Sequence, residues 1–191
     1  MERRPAPTGK RLWFIALIVI LGGLLIYYLA AYLRAVEVNR DLRSKLAGVP
    51  AAVFFIKSNP AYFQLKPVII TLKNEGDLRR QALEALFAGP PEGSGLFGVF
   101  SPATKVLGIS IRNGTATVNL NRAAMRINVG SETEALAIAS IVNTLTKFPE
   151  IYQVKILIEG KVTESLAGHV DLTKPFKYNG QVVDPAPLVR P

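Results

Sequence analysis

The chain has 191 residues, of which 49% are hydrophobic, so it can bury the core of one ordinary domain and still carry appendages. It has no cysteine and a single histidine, His169, which argues against disulfides, thiolate nucleophiles, lipid-modified cysteines and the usual zinc and iron sites. The net charge of +9 is not gathered on a basic segment with interleaved aromatic residues, so nucleic acid is not an expected partner.

Residues 12–33 predict a membrane-spanning helix. They read LWFIALIVILGGLLIYYLAAYL, 22 residues without a charge, which is long enough to cross a hydrocarbon core of about 30 Å at about 1.5 Å per residue. The run is longer than the apolar region of a cleaved signal peptide, and no small-x-small cleavage site follows it. An uncleaved anchor is therefore favoured over a signal peptide.

The orientation of this span follows weakly from charge. Four Lys/Arg residues precede the span and four follow it within residues 34–49, but those before it are more closely clustered, which favours a short cytoplasmic tail over residues 1–11. Residues 34–49 keep a helical composition until Gly48 and Pro50, and they predict a helical stalk. The rest of the chain is then expected on the extracytoplasmic side of the cell membrane.

A domain is predicted over residues 50–178. Two apolar runs, 51–57 and 67–72, are typical of strands, and the first has the composition of a strand buried on both faces. A helix is expected to begin after Asp77, whose side chain can cap it, and to end at Gly89-Pro90.

The segment VLGISIRNGTATVNLN, residues 106–121, predicts a β-hairpin. Apolar and polar residues alternate on both sides of Asn113-Gly114, the pair that a type I′ turn favours. A second helix is expected from Ser131, which forms an S-x-x-E capping box with Glu134. A last strand is expected within residues 152–160.

This order of elements predicts an α+β fold of two layers, with two helices packed on one face of a small mixed sheet. Two amphipathic helices cannot cover both faces of so small a sheet and still leave the hairpin its polar face. The last residues, 179–191, are expected to form a flexible tail.

The glycines of EGSGLFG, residues 92–98, spell the G-x-G-x-x-G of dinucleotide-binding proteins. They follow a predicted helix instead of a strand, and no helix opens after them, so no helix N-terminus is available for a pyrophosphate. The segment is therefore interpreted as a loop whose Leu96 and Phe97 tuck against the helix ends, and no cofactor is expected.

Four blocks of the chain resemble the GerMN domain, also called the sporulation and spore germination domain. In order, they are ALEALFAGPPEGSGL, GISIRNGTATVNLN, SETEALAIASIVNTLTKFPEIYQVKILIEGK and GHVDLTKPF, and together they extend over most of residues 50–178. The third block is the longest and the most specific.

The resemblance implies a membrane-tethered, extracytoplasmic module without known catalysis, whose fold is similar to the ring-building motifs of secretion systems. In spore-formers this domain is associated with assembly of the channel between mother cell and forespore. The founding protein of the family has two such domains and a lipid-modified cysteine. Since this chain has one domain and no cysteine, its anchor is expected to be the helix over residues 12–33.

The spacing of the candidate catalytic residues in the sequence does not fit a known catalytic arrangement. Ser165, His169 and Asp171 have the residue types of a triad but lie too close in sequence for one, so the chain is not expected to be an enzyme.

The expected role is a protein-interaction module of the cell envelope, with envelope proteins or a second copy as partner. A peptidoglycan-binding or cell-wall-remodelling accessory role is the alternative. Asn143 and Thr144, polar residues in the apolar stripe of the second helix, are either its solvent edge or candidate partner contacts.

Overall fold

The computed structural model describes residues 9–46, 48–127 and 129–185, and the chain divides into two units between residues 47 and 48. The first unit is helix α1, Gly9–Leu46, which continues without a break from the predicted span into the predicted stalk. Val49, assigned to the stalk by the sequence, instead begins the first strand of the second unit. The predicted cytoplasmic tail, residues 1–11, falls mostly outside the described residues, which begin at Gly9.

The second unit begins with a three-stranded antiparallel sheet. Its strands are β1 (Val49–Ser58), β2 (Phe63–Leu72) and the two-residue β3 (Leu96–Phe97), in the order β2-β1-β3. Alternate residues of β1 enter two different apolar clusters, Val53 and Phe55 the main core and Phe54 and Ile56 a smaller one. The prediction that this strand is buried on both faces is confirmed.

Helix α2 (Leu78–Ala88) begins and ends where its sequence signals indicate. The Asp77 carboxylate accepts the Arg79 main-chain N–H, which satisfies one of the free donors at the helix start. Gly89 ends the helix with φ 99°, a conformation that residues with a side chain rarely adopt. Leu83 and Leu86 lie on the face that enters the main core.

The hairpin forms as predicted, from β4 (Val106–Arg112) and β5 (Thr115–Leu120). Asn113 and Gly114 both have positive φ, 49° and 73°, as a type I′ turn requires. A register irregularity between Val106 and Gly108 shifts the start of β4, so Val106 is buried and Leu107 is exposed. The alternation read from the sequence therefore holds only from the bulge onward.

Gly114→Val is expected to lower the free energy of unfolding by about 1–3 kcal/mol, because a β-branched residue is strained at positive φ. A Cβ at this position would also overlap the ring of Tyr152. Chemical denaturation of the full-length protein in detergent measures the change. Gly108→Val is the matched control, since a Cβ there meets only open space, and a loss of stability equal to that of Gly114→Val would contradict the turn assignment.

The remaining strands form a mixed sheet with order β4-β5-β6-β7. Strand β6 (Gln153–Ile158) is parallel to β5, and helix α3 (Ser131–Leu145) lies between them in the chain, while β7 (Phe176–Lys177) is antiparallel to β6. Helices α2 and α3 both pack with the buried side chains of this sheet in the main core. The prediction of an α+β fold with two helices on one face of a small mixed sheet is confirmed, although β1, β2 and β3 form a separate sheet.

Helix α3 is more central than an amphipathic surface helix. Leu136 enters the smaller cluster with Phe54 and Ile56, whereas Ile138, Ile141 and Leu145 enter the main core. The helix also lies beside β1, where the Phe54 N–H donates to the Thr144 hydroxyl at 3.1 Å. A side chain of α3 thus satisfies a strand donor at a position that β3, pairing only at Ile56 and Lys57, does not reach.

The predicted flexible tail over residues 179–191 is wrong for its first half. The Leu65 N–H donates to the Val182 carbonyl at 2.7 Å, and the Asp184 N–H donates to the Leu65 carbonyl at 2.8 Å, so this segment covers part of the outer edge of β2. Asp184 is 8% exposed and accepts from Lys57 at 2.9 Å. Residues 186–191 lie outside the described part of the chain.

The glycine-rich segment is a loop, as predicted. Gly93 and Gly95 have φ of 73° and 68°, and the loop then pairs with β1 through Leu96 and Phe97. Phe97 packs edge-to-face against Phe63 with ring centroids 5.7 Å apart. These two residues therefore extend a sheet, where the sequence suggested packing against helix ends.

Candidate functional site

Asn143 and Thr144 are interior residues of the domain, and the prediction that they contact a partner is wrong. Both are 0% exposed, so neither lies at the solvent edge of α3. The Asn143 amide donates to the Asn179 carbonyl and accepts the Asn179 N–H, both at 2.9 Å. Thr144 accepts from Phe54. The two side chains join α3 to the C-terminal segment and to β1, which explains why they are polar within an apolar stripe.

Glu134 forms a buried anchor that the sequence analysis missed. Its side chain is 0% exposed, and its carboxylate accepts the main-chain N–H groups of Leu166 at 2.9 Å, Ala167 at 2.8 Å and His169 at 2.8 Å. A buried carboxylate is costly unless it is hydrogen-bonded, and here three donors from one loop surround it. Glu134 therefore fixes the loop that leads from β6 to β7.

The capping box predicted for Ser131 and Glu134 is wrong. Gly130 is the N-cap residue, Ser131 is the first residue of α3, and the structure gives this helix start no side-chain cap. The spacing of Glu134 contained the missed signal, because it falls on the same stripe as Ile138, Ile141 and Leu145. A charged residue in a buried stripe indicates a tertiary hydrogen-bond partner instead of a local one.

A second polar cluster holds the C-terminal segment against the three-stranded sheet. The Asp184 carboxylate accepts from Lys57 at 2.9 Å and lies 3.5 Å from the Lys66 ammonium. Lys66 and Asp184 are 6% and 8% exposed, so their charges are largely removed from water, whereas the Lys57 side chain is 39% exposed. The cluster explains why a lysine is buried on this mostly apolar strand.

The three triad residue types do not assemble into a charge relay. His169 is exposed, and its main-chain N–H is the group that contacts Glu134. The Asp171 carboxylate accepts from Thr173 two residues later, at 2.8 Å, and hydrogen bonds from Thr173 hold the pKa of Asp171 below its usual value. Within residues 9–46, 48–127 and 129–185, no group of three His, Asp or Glu side chains is placed to hold a metal ion.

The comparisons with known proteins agree with this architecture. The family model for sporulation and spore germination matches residues 52–164. The structure of the tandem GerMN domains of the sporulation protein GerM from Bacillus subtilis is similar, with TM-score 0.62 and 28% identity over 73% of this chain and 49% of that one. The chain thus spans about half the length of that structure.

A second solved structure, the first GerMN domain of the same Bacillus subtilis protein, has a TM-score of 0.56 and 22% identity, and covers 70% of this chain and 98% of that one. At this identity the likeness shows the fold. No curated protein sequence matches the chain. Because the family model covers more than half of the sequence and the fold agrees with it, the chain belongs to the sporulation and spore germination (GerMN) family.

Proposed function

We propose that this chain is a single-pass protein of the cell membrane, with a cytoplasmic N-terminus and an extracytoplasmic domain that binds other proteins of the cell envelope. In this family, the role that fits best is assembly of a sporulation or germination complex. The observation that carries the proposal is a long helix whose apolar side chains between Trp13 and Val38 are exposed, followed in the chain by the family's domain.

Helix α1 has the length and composition of a membrane anchor. The segment Trp13–Arg40 has a mean hydropathy of 2.6, and none of its most apolar window is buried. Exposed apolar surface costs about 25 cal/mol per Å² in water, whereas the hydrocarbon of a bilayer removes that cost. The helix continues to Leu46, two residues before the second unit begins.

The polar groups of the domain support a binding role over catalysis. The four buried polar residues of α3 are each hydrogen-bonded to the domain's own main chain; they are Glu134, Ser140, Asn143 and Thr144. His169 lies at the surface, and Asp171 is bonded to Thr173. A general acid or base must be free to exchange a proton with a substrate, whereas the buried polar groups of α3 are committed to holding the fold and His169 has no catalytic partner beside it in the described structure.

The full-length protein is expected to remain in the membrane pellet at high pH, at uncleaved mass, and to form cross-linked adducts with other envelope proteins in intact cells. External protease should digest a C-terminal tag and spare an N-terminal one. A variant with Leu21→Arg and Leu25→Arg should leave the pellet, because each arginine near the centre of a span costs about 2.5–3.5 kcal/mol on insertion scales.

The control for the adducts is the same α1 helix followed by an unrelated soluble domain. Release of the protein from the membrane by carbonate, or loss of about thirty N-terminal residues as in signal-peptide removal, would contradict the proposal that α1 is an uncleaved membrane anchor. An adduct pattern identical to that of the control would contradict the binding role.

A further inference from the structure

One face of the mixed sheet is not covered by any helix or strand of the domain in the part of the chain that the structure describes, residues 48–127 and 129–185. Ala116, Val118, Val154 and Ile156 are 0% exposed and point into the main core. Successive side chains of a strand point to opposite faces, so the residues between them point away from the core. We call this surface the outer face and define it by Arg112, Thr115, Thr117, Gln153, Lys155 and Lys177.

The outer face is positively charged, and no residue of the four strands is acidic. Strand register places Arg112 opposite Thr115, Thr115 opposite Gln153, and Gln153 opposite Lys177, in one row across the sheet. Neighbouring strands lie about 4.8 Å apart, so the two ends of the row are about 14 Å apart. Lys155 lies two residues further along β6, about 7 Å from the row.

The three cations of this face are available to a ligand. Among the residues that the structure describes, none of Arg112, Lys155 and Lys177 is in an ion pair. Arg112 and Lys177 are exposed, and Lys155 is half-buried between its neighbours on the sheet. The Gln153 amide donates to the Thr115 hydroxyl at 2.9 Å, which fixes the neutral centre of the row. The face therefore presents spaced cations on a rigid support of amide and hydroxyl groups.

The geometry points to the outer face as the docking surface for an acidic segment of a partner protein, a conclusion that rests on the proposed binding function and specifies the chemistry of the partner. Carboxylates spaced along an extended acidic peptide can reach cations about 8–14 Å apart, at the strand and residue spacings of the sheet. Charge complementarity of this kind mainly sets partner choice and the rate of association.

The rival anionic partners fit this surface less well. Proteins that bind a lipid surface combine cations with apolar side chains that enter the headgroup region, whereas Leu157, the large apolar residue at an outward position of β6, is half-buried. Tyr152, 73% exposed, is a single ring beside the turn at one end of the face. Single-stranded nucleic acid is held by aromatic platforms on which successive bases stack, and β4–β7 have no aromatic residue at an outward position of this face.

The test uses the full-length protein in neutral phosphatidylcholine vesicles and a fluorescent deca-glutamate peptide. We expect binding that weakens as salt is raised through the physiological range, because exposed charges are screened. Combined Arg112→Gln, Lys155→Gln and Lys177→Gln should weaken it about tenfold or more, the summed effect of three exposed ion pairs. Combined Lys73→Gln, Arg126→Gln and Lys147→Gln removes the same charge from other surfaces and should change it less than about twofold.

Equal losses in the two triple variants would show attraction by net charge alone and would overturn the proposal, as would no binding of the peptide by the wild-type protein. Docking of phosphatidylglycerol vesicles without binding of the peptide would assign the face to lipid instead, which also overturns it. Circular dichroism of each variant checks that it is folded. Failure here leaves membrane retention and cross-linked adducts untouched, so it is distinct from failure of the proposed function.

Discussion

Glu134→Ala is expected to lower the free energy of unfolding of the domain by about 3 kcal/mol or more, because three main-chain N–H groups lose a charged acceptor at once. The loop over residues 166–169 has no other side chain of α3 bonded to it in the described structure. Chemical denaturation of the full-length protein in detergent measures the loss, and hydrogen exchange of the Leu166 and Ala167 amides should rise with it.

Two variants show whether the buried carboxylate itself is responsible. Glu134→Gln keeps the shape but turns an amide N–H toward at least one of the three donors, so we expect an intermediate loss of about 1–3 kcal/mol. Glu132→Ala, on an exposed side of the same helix turn, removes only a long, exposed hydrogen bond from the Phe63 N–H, at 3.4 Å, and should lower the free energy of unfolding by no more than about 1 kcal/mol. If Glu134→Ala and Glu132→Ala were equally stable, the Glu134 carboxylate would not be what holds the loop over residues 166–169.

Asn143→Arg is expected to destabilise the domain by about 3–5 kcal/mol, because it places an unpaired charge at a fully buried position. It also removes both hydrogen bonds to Asn179, which leaves that residue's main-chain groups without their partner. The melting transition of the full-length protein should fall by many degrees, and any loss of partner adducts should accompany unfolding.

The matched control is Ala135→Arg, the same substitution at an exposed position of α3. It should leave the melting transition nearly unchanged, as surface substitutions usually do. If Asn143→Arg instead kept the stability of the wild-type protein while it lost its partners, Asn143 would be a surface contact after all and the interior placement would be wrong.

Signals that act within a few residues were sufficient for much of the fold. The Asp77 cap, the Asn113-Gly114 turn and the alternation of Ala116, Val118 and Leu120 each act over one turn or one strand, so the sequence contains the whole of the interaction. The apolar run over residues 12–33 is likewise a property of consecutive residues. The family resemblance, carried by long blocks, added the expected domain and its two helices on a sheet.

What the tertiary structure decided was where each polar side chain finds its partner. Ser131 and Glu134 match a local capping box, but Glu134 instead meets a loop more than thirty residues away. Asn143, Thr144 and the segment around Asp184 are similar cases, since each is satisfied by a group distant in the sequence.

The division of the strands into two sheets, and with it the uncovered basic outer face, also depends on long-range pairing. Strand β5 pairs with β6, although helix α3 lies between them in the chain. Strand β1 pairs with β2 and β3 and does not join the sheet of β4–β7. The alternation of apolar and polar residues along a strand indicates which face is apolar, but it does not indicate which other element packs against that face. The sequence by itself therefore determined most of the helices and strands, the long apolar helix and the family, whereas packing between distant segments determined which polar groups are buried and hydrogen-bonded and which lie at the surface.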